Sequence, residues 1–166
     1  MSALLVLLNS IKTQHSREWL TPAQMAAVAL IEGQLQIPGV VNLAGPAGCG
    51  KTFCGWILAH SLNARISVDP QHLPESEEKA SALIIDNVPD DVRAWRALLT
   101  ELQLRGIRRA VLITHHTNEL GQPTARLPAP TAADYAHIMA RISRHQPFYP
   151  GPMGDNLWTW IRSAVD

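Results

Sequence analysis

Short apolar runs alternate with amphipathic stretches along this chain. Val40 to Ala44, Ala82 to Ile85 and Ala110 to Thr114 are apolar almost throughout, with no polar residue at every second position. Such runs suit strands whose two faces are both covered. Arg65 to Val68 reads as a further strand, and a fifth is placed around Thr124 to Leu127. Helical spacing fills the gaps. Leu4, Leu5, Leu7 and Leu8 predict a helix over Ser2 to Ser10. Met25, Val28, Ala29, Ile31 and Leu35 predict another, with Thr21 as N-cap and Pro22 at its first position, where the missing N–H is harmless. Thr52 to Leu62 follows the same period. The acidic pair Asp90–Asp91 opens a helix running to about Leu104 and closed by Gly106. Thr131 caps AADYAHIMARIS, and Asp155 caps a last helix, NLWTWIRSAV.

Strands alternating with helices predict an α/β fold, a three-layer sandwich around a mostly parallel sheet. At 166 residues the chain is expected to form one domain, with 1–20 as a helical extension and 131–166 as C-terminal helices. Hydrophobic residues are 46% and charged residues 17%, a globular balance. The formal net charge is zero, so any nucleic-acid partner would need a local basic patch. Arg93, Arg96, Arg105, Arg108 and Arg109 are the candidates for such a patch; the plain reading is a solvated helix face. The two cysteines, Cys49 and Cys54, are too few for a disulfide framework, which suits a reducing compartment. The run ALLVLL is too short to cross a membrane and has no positive segment before it. The cytoplasm is the expected location, with no membrane partner. No histidine or cysteine pair has zinc-ligand spacing.

One motif changes the picture. Residues 45–52 read GPAGCGKT, between an apolar strand and a helix. This is the full P-loop pattern in its proper context. The glycines let successive backbone N–H groups converge on an anion, and the helix N-terminus adds partial positive charge. Gly45, Gly48 and Gly50 therefore build a phosphate cradle. Lys51 reaches the β- and γ-phosphates, and the Thr52 hydroxyl ligates Mg2+. Cys49 within the loop and Phe53 just after it complete the residues placed around ATP. Asp86 ends the strand ALII and is expected to hold the magnesium through water. Asn87 follows it.

In this order of elements the chain resembles the core of AAA+ ATPases. The resemblance runs from about Thr21 to Val165 and is specific at the glycine loop. It implies a γ-phosphate sensor at the tip of VLIT, with Thr114 or His116 favoured by spacing and His115 beside them. It also implies a sensor helix at GDNLWTWIR. The chain departs from the pattern in three ways. Asn87 stands where a glutamate would polarise the attacking water, and a positioned general base contributes about 10²–10⁴ in rate. Asp90 or Asp91 could replace it only if their loop folds back. Leu157 occupies the expected place of the sensor arginine. Arg126 is the best candidate for an arginine finger, so the resemblance implies a homo-oligomer in which a neighbour completes the site. A second resemblance, to superfamily 1 helicases, rests on LTPAQMAAV before the loop. It implies that Gln24 reads the adenine edge; the plain alternative is a surface glutamine. Three functions stay open: a slow ATPase switching conformation or assembly on a nucleic-acid or protein client, a nucleotide-gated binding module without turnover, and a small-molecule kinase. The last lacks the arginine-rich lid such enzymes use.

Overall fold

The computed structural model describes residues 6, 10, 13, 16–73, 82–116, 121–145 and 157. Its centre is a five-stranded sheet in the order β2-β3-β4-β1-β5. The strands are β1 (Gly39–Ala44), β2 (Ala64–Ser67), β3 (Ala82–Ile85), β4 (Arg109–Thr114) and β5 (Thr124–Arg126). Every pairing is parallel, and Ala44 lies level with Thr114 on one side and Arg126 on the other. The helices are α1 (Pro22–Gln34), α2 (Lys51–Ser61), α3 (Val92–Leu104) and α4 (Ala132–His145), with a 3-10 turn at Arg17–Trp19. The α/β reading and all five expected strands are present, each within a residue or two of its predicted ends. Of the predicted N-terminal helix, Val6 and Ser10 are helical, and of the last helix, Leu157 is; their other residues lie outside those described.

Strand periodicity explains the three layers. On β3 and β4, Ile84, Val111 and Ile113 face one side, packing with Ile31 of α1 and Ile57 and Leu58 of α2. Their neighbours Leu83, Ile85, Ala110 and Leu112 face the other, against Trp95, Leu98 and Leu102 of α3. Both sets are buried because successive residues of a strand point oppositely. Each fully buried aliphatic side chain contributes about 1.5–3 kcal/mol. Helix α2 approaches the sheet closely at Gly55, where a Cβ would stand 2.9 Å from Ile113 Cδ1.

Local chemistry sets the helix ends. Thr21 caps α1 as expected and forms a capping box with Gln24. Asp91 caps α3, accepting from Arg93 N–H at 3.0 Å. Gly106, at φ +70°, ends it. Thr131 and Asp134 form a reciprocal cap at the start of α4. The buried stripe of α1 differs from the predicted one. Met25 is exposed, and the inward residues are Gln24, Ala27, Val28, Ile31 and Leu35. A polar residue thus heads an otherwise apolar face, because it has a partner beneath the glycine loop.

Candidate functional site

The site lies at the carboxyl ends of β1, β3 and β4, where side chains and loops from separate strands converge. β1 delivers the chain into residues 45–50, and α2 begins at Lys51. Gly48 and Gly50 have φ of +74° and +90°, which only glycine adopts without strain. Gly45 is buried at the strand end; a Cβ there would stand 2.7 Å from the Leu127 carbonyl. The loop is therefore shaped by backbone demands that its three glycines meet.

Its carbonyl groups are held from outside. Lys51 Nζ donates to Gly45 O at 2.7 Å and to Pro46 O at 2.8 Å. Leu157 N–H donates to Gly48 O at 3.2 Å. Gln24 Nε2 donates to Cys49 O at 2.9 Å. Lys51 is 8% exposed, so its charge sits folded into the loop. Burial pushes the Cys49 thiol above its ordinary range; Lys51, 4.0 Å from the sulfur, opposes that shift. Cys54, wholly buried, is raised further by burial and by Cys49. Both thiols are free and protonated, hence poor nucleophiles.

At the start of α2, Thr52 Oγ1 donates to Asp86 Oδ2 at 2.7 Å. Asp86 is 7% exposed, and its other oxygen accepts from Asn87 N–H at 2.8 Å. A hydroxyl beside a carboxylate is a hard-oxygen donor set, the chemistry that Mg2+ selects. Asn87 takes the left-handed conformation at φ +56°, and its Nδ2 donates to Val68 O at 3.2 Å. The amide is thus anchored to the chain just after β2. Thr114, 1% exposed, places its hydroxyl 2.9 Å from Asn42 Oδ1 and 2.6 Å from His116 O. Asn42 sits on β1 and is fully buried.

Beside the loop opens a cleft of about 260 Å3. Gln24, Gly48, Gly50, Lys51, Thr52, Phe53, Asp86, Asn87 and Thr114 all line it, so most of the predicted site converges. Cys49 instead turns its sulfur beneath Gly45, and contributes its carbonyl. At the strand tip His115 lines the cleft, while His116 points to Asp90, with its N–H on Asp90 Oδ1 at 3.2 Å. Asp90 is held there, and Asp91 is a helix cap. Arg126 is exposed at the end of β5. Trp19, Trp56, Ile138 and Ile142, which the sequence pattern did not assign to the site, line an apolar part of the cleft together with Leu157, the residue at the expected place of the sensor arginine. Trp19 and α4 residues are far from the loop in sequence, so no local motif marks them. Among the described residues no cluster of three or more metal-binding side chains exists, and no helix is long and apolar enough to cross a membrane.

No protein-family model matches the chain, and no curated protein does. Solved structures do. The chain is similar to the Thermotoga maritima RuvB Holliday junction branch migration motor, at 21% identity over 74% of this chain and 48% of that one, with a TM-score of 0.51. A variant of the same motor is matched at 22% identity over 78% of this chain and 51% of that one, with a TM-score of 0.49. The chain thus spans about half the length of the structures it matches. The all-parallel order, the strand–loop–helix at residues 45–52 and this likeness agree: the chain has the P-loop NTPase fold.

Proposed function

We propose that this protein binds Mg-ATP and hydrolyses it slowly, using the nucleotide to switch its conformation or assembly on a nucleic-acid or protein partner. The observation that carries the reading is the contact of Thr52 with Asp86, 2.7 Å, at the mouth of a complete glycine loop. Two oxygen donors from separate elements meet beside the cradle, where nucleotide phosphates and a divalent cation would share a site. Bound there, Mg2+ would neutralise charge on the phosphates. Lys51, which now donates to two loop carbonyls, would exchange them for phosphate oxygens at little net loss of hydrogen bonding. The apolar half of the cleft suits the flat face of a nucleobase. Slow turnover follows from Asn87: an amide can orient a water but cannot accept its proton. The fold neighbour is named as a branch migration motor, which makes a nucleic-acid client one of the options.

The test is phosphate release from Mg-ATP at several protein concentrations, with Lys51→Ala as the blank. Lys51→Ala is expected to lose ATP binding, read by calorimetry; unchanged affinity would refute the assignment of the loop. Specific activity rising with concentration would mean that a neighbouring subunit completes the site. Binding without release above the blank would favour a nucleotide-gated module.

A further inference from the structure

Gln24 is 3% exposed, and both ends of its amide are engaged. Oε1 accepts from Thr21 N–H at 2.9 Å, closing the capping box of α1. Nε2 reaches across to Cys49 O at 2.9 Å, in a segment 25 residues away. The cap uses only the oxygen. The nitrogen does something the helix does not need.

Peptide planarity shows what that is. In a trans peptide the C=O of one residue and the N–H of the next point in opposite directions. Drawing Cys49 O toward α1 turns the Gly50 N–H the other way, away from Gln24. Leu157 N–H, on Gly48 O at 3.2 Å, fixes the neighbouring Gly48–Cys49 peptide. An anion cradle needs convergent N–H groups, and these two peptides are locked by donors from outside the loop. The fit leaves no slack: a Cβ on Gly50 would stand 2.2 Å from Gln24 Nε2.

We infer that Gln24 is a positioning residue for the phosphate cradle, acting through the Cys49–Gly50 peptide, and is not a reader of the nucleobase. Its orientation is set by backbone partners at both ends, so the amide cannot turn to a base edge without breaking the cap or the Cys49 bond, although one Nε2 hydrogen and one Oε1 lone pair stay uncommitted. Base recognition then falls to the apolar half of the cleft, while Gln24 serves whatever carries a triphosphate. This inference rests on the phosphate-binding reading of the loop.

The experiment measures Mg-ATP affinity by calorimetry, and that of inorganic tripolyphosphate by displacement, for the wild type, Gln24→Met and Gln24→Glu. Gln24→Met keeps the volume and removes both hydrogen bonds. Gln24→Glu keeps the Thr21 contact and puts a carboxylate against Cys49 O, so it serves if the first variant does not fold. Melting curves without ligand identify any unfolded variant. Losing one buried hydrogen bond that orders the site is expected to weaken binding about tenfold. The expected result is the same factor for ATP and for tripolyphosphate, because the base is irrelevant to the cradle. A loss for ATP alone would overturn the inference and make Gln24 a base reader. Unchanged affinities for both would overturn it in favour of a helix cap and nothing more. Failure of tripolyphosphate to displace ATP from the wild type would also overturn it. Failure of the parent reading looks different: wild type without ATP affinity, or Lys51→Ala binding as wild type does.

Discussion

Asn87 shows how much one side chain can decide. It follows the candidate magnesium carboxylate, sits at φ +56°, and anchors its amide to Val68 O. Asparagine tolerates this left-handed conformation better than most residues, through local hydrogen bonding. A glutamate in its place loses the anchor and meets a backbone cost of about 1–2 kcal/mol. Asn87→Glu is therefore expected to raise ATP turnover while lowering the melting temperature. The two are read by phosphate release and by a thermal scan of one preparation. A flat rate would mean that the attacking water is positioned elsewhere or that the site still lacks a finger. Asp86→Ala, which removes the partner of Thr52, is expected to erase the dependence of ATP affinity on Mg2+. Retained dependence, in a titration with and without the metal, would remove Asp86 from the magnesium site.

At the scale of elements, α4 is joined to the site through its first turn. Asp134 is buried, accepts from Thr131 N–H and hydroxyl at 2.8 and 2.7 Å, and also interacts with Thr21, the cap of α1. Burial is the largest single influence on its carboxyl and pushes the pKa up. The hydrogen bonds from Thr131 and Thr21, with the nearby His137, together outweigh it, so the group lies below its ordinary value of 3.8. A depressed folded-state pKa gives stability that is fully present above the unfolded value and lost as pH falls through the folded one. Asp134→Asn is therefore expected to cost about 1 kcal/mol at neutral pH, as losing a helix cap does. The gap between variant and wild type should close only at pH below about 3.8, in melts across pH 2–7. A gap that stays constant to pH 2 would show that the charge does not matter to the cap. The helix also carries Ile138 and Ile142 to the cleft, and Arg141 to Glu18 at 3.2 Å, beside Trp19. A loosened α4 should accordingly weaken ATP binding.

For the whole molecule, ligand linkage gives the simplest expectation. ATP at about 1,000 times its dissociation constant adds about 4 kcal/mol of stability. For a chain of this size each kcal/mol raises the melting temperature by about 2–4 °C. A shift of that order with Mg-ATP, absent in Lys51→Ala, reports binding; no shift at millimolar ATP would contradict it. Packing sets a second expectation. α2 lies against β4 with only hydrogen between them at Gly55, where even a Cβ meets Ile113 at 2.9 Å. Overpacking of such a contact costs about 1–3 kcal/mol. Gly55→Leu should lose stability in that range and, since Ile113 also lines the cleft, ATP affinity with it. A variant as stable as wild type would mean that helix and sheet separate easily.

What could be read from the chain itself was whatever is coded by neighbours in sequence. Continuous apolar runs predicted β1, β3 and β4, because a strand buried on both faces has no polar alternation, whereas the partly exposed edge strands β2 and β5 carry a weaker pattern. GPAGCGKT marked itself as the candidate phosphate loop, because an anion nest is made from consecutive backbone groups whose turns require glycine at fixed positions. Caps at Thr21, Asp91 and Thr131 lie within one turn of the groups they satisfy, so they too were local. The tertiary structure decided what depends on pairs far apart. Gln24 looked either like a surface residue or like a base reader, and its bond to Cys49 exists only once α1 packs beside the loop. His115 and His116 are adjacent, and which faces the cleft depends on Asp90 across the site. The apolar half of the cleft draws on Trp19 and α4, whose shared location no spacing encodes. Local order follows from propensity and turn chemistry, whereas convergence on a site follows from how the layers close, and that is settled by packing over the whole chain.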